Sequence, residues 1–77
     1  MWNMMEKLKV IDLNDQTVLE LNNCLEGFFG ELMNDKTKYC LEYKLNSILR
    51  KNEYNEFIII ADPDIDNHTY TISFYRK

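Results

Sequence analysis

The sequence predicts a small α+β domain: two amphipathic helices packed on a small antiparallel sheet, in the order (β)ααββ with a C-terminal β-hairpin. Three observations carry this expectation. Apolar residues recur at helical spacing across two long stretches, 14–34 and 36–52. The stretch from Glu56 to Tyr75 instead alternates or runs apolar in short blocks split by an Asp-rich turn. Finally, 77 residues with 45% hydrophobic and 13% aromatic content suffice for one compact core and little more. Residues 1–77 are therefore read as one globular domain.

The first element is the least distinct. Lys7 to Leu13 is short, and a strand with Leu8 and Val10 on one face is preferred over the end of a helix begun at Trp2. Asn14 to Asn34 follows as a helix, with Asn14, Asp15 and Thr17 as candidate N-caps and Thr17/Glu20 at capping-box spacing. Val18, Leu21, Leu25, Phe28, Phe29, Leu32 and Met33 form its apolar side. Gly27 and Gly30 conflict with a helix this long, since each costs about 1 kcal/mol against Ala in a helix interior. A helix end or kink near them is expected.

Lys36 to Asn52 is the second helix, capped by Asp35 or Thr37. Its stripe is Leu41, Leu45, Ile48 and Leu49, and Arg50 and Lys51 stand near its C-terminus, where cations suit the helix dipole. Glu56 to Ala61 is a strand with Phe57, Ile59 and Ala61 on one side and Ile58 and Ile60 on the other. Two apolar faces suggest a central position in the sheet. Asp62 to Asn67 has turn composition, and His68 to Tyr75 is a second strand with Tyr70, Ile72 and Phe74 on its buried side.

Charge is distributed unevenly. From Val10 to Asp35 there are six acids and no base; from Lys36 to Lys51 there are five bases and one acid; from Asn52 to Tyr75 there are five acids and no base. The second helix is basic and its neighbours are acidic. One reading of this pattern is internal complementarity, the basic helix packing between two acidic elements through surface pairs that contribute little each. The other is an acidic face presented to a basic partner. The formal net charge of −4 disfavours non-specific attachment to a nucleic-acid backbone.

Candidate contact residues follow. Asp62, Asp64 and Asp66 form a D-x-D-x-D run resembling the first half of a calcium loop, but Asn67 and Ser73 stand where such a loop needs Gly and a bidentate Glu. They are read as turn-forming acids and as contacts for a basic partner. Glu20 and Glu31 extend this acidic set if they converge on the hairpin. Tyr39, Tyr43 and Arg50 lie on the second helix opposite its Leu stripe, and Tyr and Arg are enriched at binding hot spots. Met1, Trp2, Met4 and Met5 make an apolar N-terminus of the adaptable residue types used at contacts.

Cys24 and Cys40 match no zinc spacing, and His68 is the sole histidine. They are read as reduced thiols of a cytoplasmic protein. The N-terminus shows no apolar core of a secretory leader, and no run is long enough to span a membrane. No phosphate-binding or nucleophile motif is present, so neither catalysis nor a cofactor is expected. Ala occurs only at Ala61, Pro only at Pro63 and Arg only at Arg50 and Arg76, whereas Asn, Ile, Lys and Tyr abound. This bias matches AT-rich coding, as in a low-GC bacterium, its phages or its mobile elements.

The functional expectation is a non-enzymatic, acidic, protein-binding inhibitor or regulator of that origin, with a partner whose basic surface is a nucleic-acid-binding groove. Two alternatives remain. One is a winged-helix DNA-binding regulator that reads DNA through Lys36, Lys38, Tyr39, Tyr43, Lys44, Arg50 and Lys51, and needs a helical N-terminus. The other is a structural or homodimeric subunit joined through Phe28/Phe29 or the hairpin edge.

Overall fold

Asn side chains set where both helices begin. The computed structural model describes residues 6–8, 11–28, 30–31 and 33–77. Helix α1 spans Asp15–Glu26, and its N-cap Asn14 accepts the Thr17 N–H at 2.8 Å. Helix α2 spans Asp35–Lys51, and Asn34 accepts the Thr37 N–H at 2.9 Å. Each Asn satisfies an otherwise orphaned N–H of the first turn. Both caps lie upstream of the Thr candidates. Thr17 is instead fully buried, its hydroxyl donating to the Asn14 Oδ1, and Glu20 forms no capping box.

α1 stops at Gly27, far short of Asn34, as the glycine content warned. The buried side of α1 keeps Leu21, Leu25 and Phe28 of the expected stripe, but Thr17 takes the place of Val18 at its start. Thr17 and Leu21 are buried, while Val18 is 41% exposed. Cys24, Leu25 and Phe28 continue the core-facing side; Phe29 and Leu32 lie outside the described residues. α2 follows its pattern closely: Leu41, Leu45 and Leu49 are buried at four-residue spacing and Ile48 packs beside them. Each Leu is worth about 2–5 kcal/mol against Ala.

α2 ends in a Schellman turn. The Glu53 N–H donates to the Arg50 carbonyl at 3.0 Å and the Tyr54 N–H to the Leu49 carbonyl at 2.8 Å. Glu53 holds the left-handed position with φ 68°. Tyr54 packs on the core, and its hydroxyl accepts the Asn14 N–H at 2.9 Å, joining the end of α2 to the start of α1.

The sheet has three antiparallel strands: β1 (Glu6–Leu8), β2 (Phe57–Asp64) and β3 (Thr69–Arg76), in the order β1-β3-β2. β1 confirms a strand at Leu8 but is shorter than expected, and Val10 lies outside the described residues. The hairpin strand β2 is an edge strand, not the central one; β3 is central. β2 also runs on through Pro63 and Asp64, past the expected turn, and the turn itself is the 3-10 segment Ile65–Asn67 closed by His68 at φ 51°.

An apolar run on both faces led to the wrong strand position because α2 substitutes for a neighbouring strand. Asn46 of α2 donates to the Ile59 carbonyl at 3.0 Å and accepts the Ile59 N–H at 2.8 Å. Glu42 accepts the Ala61 N–H at 2.7 Å. Pro63, next on the same edge, has no N–H to satisfy. Ile59, Ala61 and their partners Phe74 and Ile72 face the helices. Ile58, Ile60, Ser73 and Tyr75 occupy the opposite face.

Candidate functional site

An open groove of about 850 Å³ lies between the two helices' connection and the hairpin. One wall is the end of α1 and the segment leading to α2; the other is the hairpin turn and the start of β3. Leu25, Phe28, Leu41, Tyr70 and Ile72 supply apolar lining, and Glu26 and Glu31 supply carboxylates. No Lys or Arg lines it among the described residues. The groove exists because α1 ends at Gly27: the chain then turns at Gly30, whose φ of 86° suits glycine, and Glu31 is carried to the groove instead of continuing a helix.

The hairpin turn brings Ile65, Asn67 and His68 to the same groove. Ile65 is 73% exposed, a large apolar side chain held at a turn flanked by Asp64 and Asp66. Apart from Pro63 it is the one apolar residue between Asp62 and Asn67, and that isolation is the sequence signal that marks it. Tyr70 is half-buried and its hydroxyl is shielded from solvent, with no hydrogen-bond partner among the described residues.

Glu20, Glu31, Asp62, Asp64 and Asp66 do not form one patch, so the condition for an acidic face made of all five is not met. Glu31 reaches the groove. Asp62 and Asp64 lie in the β2 ladder opposite Thr71 and Thr69, on the sheet face away from the helices, and Asp66 is exposed in the turn. Asp64 accepts from Asn67 Nδ2 at 2.8 Å. Asp62 is near Lys38, whose ammonium is held above its ordinary range chiefly by the Glu42 hydrogen bond and also by this carboxylate.

Glu20 is remote. It accepts from Lys51 Nζ at 2.5 Å and Asn52 Nδ2 at 2.9 Å at the far end of α2. The thirteen-residue step from Lys38 to Lys51 separates the two ends by about 20 Å at 1.5 Å per residue. Glu20 is thus a tie between helices, and the groove acid that the sequence reading missed is Glu26.

Charge complementarity is used in the ion pairs Lys51–Glu20 and Lys38–Glu42. Lys44 Nζ lies 5.3 Å from the Phe28 ring centroid, a cation–π contact.

Tyr39 and Tyr43 project from α2 at 63% and 70% exposure, so neither ring packs at the edge of the core. Tyr43 and Arg50 share a hollow of about 230 Å³ with Phe57, Ile58 and Lys77. Arg50 is steadied by Ser47 Oγ at 3.1 Å, and that hydroxyl donates to the Tyr43 carbonyl at 2.8 Å. This surface is basic and aromatic, in contrast to the acidic groove.

The two thiols differ in setting. Cys40 is exposed, while burial pushes the Cys24 thiol upward. No cluster of three or more His, Cys, Asp or Glu side chains suited to a metal ion occurs among the described residues, and no described helix is long and apolar enough to cross a membrane. No protein-family model, curated protein or solved structure matches the chain.

Proposed function

We propose that this chain is a non-enzymatic binding domain that engages a protein with a basic surface through the acidic groove beside its hairpin turn. The observation that carries this reading is that Glu31 and the exposed Ile65 line one open apolar groove with no Lys or Arg among its described lining residues. An apolar floor bordered by unmatched carboxylates complements a partner of opposite sign and repels an acidic one. The AT-rich residue usage supports a phage or mobile-element inhibitor or regulator of a low-GC bacterial protein, acting in the cytoplasm.

The DNA-binding alternative draws on Tyr39, Tyr43 and Arg50, which are all exposed on α2. Against it, Lys38 and Lys51 are engaged by Glu42 and Glu20, and residues 6–8 are strand where that reading needs a helix.

The two readings separate with a photocrosslinking residue at position 65 or at position 43, in a low-GC bacterial lysate with and without nuclease. The groove reading expects a protein adduct from position 65 that survives nuclease and is lost on Glu31→Lys. No adduct from position 65, or adducts only from position 43 that vanish with nuclease, would reject it.

A further inference from the structure

Resting on that partner-binding reading, we infer that the groove receives a peptide segment of the partner in which a large apolar side chain stands next to a lysine or arginine. Its volume of about 850 Å³ is of the size that encloses a drug-sized ligand, so several side chains and not a whole domain enter it.

The floor selects the apolar part. Leu25, Phe28, Leu41 and Ile72 offer no side-chain hydrogen-bonding group, so a polar side chain placed there would lose its water without replacement. Ile65 extends this surface to the rim, where its exposed side chain gains burial only when something covers it.

The carboxylates select the cation. Glu26 and Glu31 are both exposed, and among the described residues neither makes an ion pair or side-chain hydrogen bond. A neutral apolar segment would strip water from them without compensation. An acidic segment would add repulsion. A lysine or arginine beside the apolar anchor meets a carboxylate while its methylenes lie on the apolar wall. The low-polarity walls also strengthen the field of the carboxylates at the groove mouth.

Three synthetic twelve-residue peptides test this: alternating Leu and Lys, alternating Leu and Glu, and alternating Ser and Lys. Each is titrated into the isotope-labelled full chain and followed by amide chemical shifts at moderate salt. The Leu/Lys peptide is expected to bind at least about tenfold tighter than either control, a difference of 1.4 kcal/mol, and to shift Glu26, Gly30, Glu31, Ile65 and Thr69. Glu26→Gln with Glu31→Gln should weaken it by about tenfold, and Ile65→Ser should also weaken it, with the thermal midpoint unchanged in both.

Equal binding by the Ser/Lys peptide would reduce the effect to general attraction by a chain of net charge −4 and overturn the inference. So would shifts confined to Tyr39, Tyr43 and Arg50, or concentration-dependent shifts at the groove without peptide, which would make its occupant a second copy. A nuclease-resistant adduct from position 65 combined with no peptide selectivity would overturn only this inference and leave the binding-domain reading standing.

Discussion

Asn46 of α2 holds Ile59 of β2 by both of its backbone polar groups, giving at 3.0 Å and taking at 2.8 Å. One side-chain amide thereby does what a fourth strand would do at that position. A free edge with an unpaired N–H and C=O is a template for another chain, and here the template is closed by a helix.

Asn46→Ala removes both bonds and leaves the two groups of Ile59, a residue 1% exposed, without partners. A loss of about 2–3 kcal/mol is expected from two hydrogen bonds and partial desolvation. Asn46→Asp keeps an acceptor for the N–H but sets a carboxylate against the Ile59 carbonyl, and should cost at least as much. Urea denaturation measures both; an Asn46→Ala midpoint equal to wild type would show that the edge is not held by this side chain. Light scattering should also rise for Asn46→Ala, because the edge is uncovered.

Among the described residues, two have positive φ outside the hairpin, and opposite substitutions there should have opposite effects. Glu53 closes the Schellman turn at φ 68° with a side chain where glycine is usual. Glu53→Gly relieves the left-handed backbone and is expected to stabilise by up to about 1 kcal/mol, part of the relief being offset by the greater freedom of glycine in the unfolded chain. Gly30 has φ 86° and open space around a built Cβ. Gly30→Ala therefore meets no steric neighbour, and its expected cost of about 1 kcal/mol is backbone alone. Thermal melts of the two variants should move in opposite directions; a stabilised Gly30→Ala would contradict the turn geometry that forms the groove wall.

The parts of this fold that were legible depend on neighbours in sequence. Leu41, Leu45 and Leu49 announce the buried side of α2 by spacing alone, and Gly27 marks the end of α1. What was missed depends on distant residues. The edge position of β2 follows from Asn46 and Glu42, thirteen and nineteen residues from their backbone partners. The role of Glu20 follows from Lys51, thirty-one residues away. Tyr54 reaches Asn14 over forty residues. The candidate site divides in the same way. Exposure of Tyr39 and Tyr43 could be read from helical phase, but the placing of Glu31 and Ile65 on one groove requires the packing of α1 against α2 and of α2 against β2.

The Glu20 tie makes part of the stability pH-dependent. Hydrogen bonds from Lys51 and then Asn52 hold the Glu20 carboxyl below its ordinary 4.5. A depressed folded-state value means that the unfolded chain binds the proton more readily. The contribution is therefore complete above about 4.5 and disappears as pH falls through the folded-state value. Urea midpoints measured from pH 6 downward should drop across this range, and Glu20→Gln should drop less steeply. An equal slope in the two proteins would place the acid sensitivity elsewhere. Lys38 has the opposite sign: its folded-state value is raised above 10.5, so its contribution is present below that pH and disappears on further alkalinisation.

Tyr70 poses the last test because it stands at both the core and the groove. Its ring packs against the buried cluster and lines the groove, yet its hydroxyl is shielded and has no partner among the described residues. A buried hydroxyl without a hydrogen bond costs about 1–3 kcal/mol of lost hydration. Tyr70→Phe keeps the ring and removes that cost, so the variant is expected to be about 1 kcal/mol more stable in urea. A shielded hydroxyl also offers nothing to a peptide on the groove floor, so affinity for the Leu/Lys peptide should be unchanged. Destabilisation by Tyr70→Phe would mean that the hydroxyl is satisfied in solution. Stabilisation with weakened peptide binding would mean that the groove opens on binding and that the hydroxyl becomes one of its contacts.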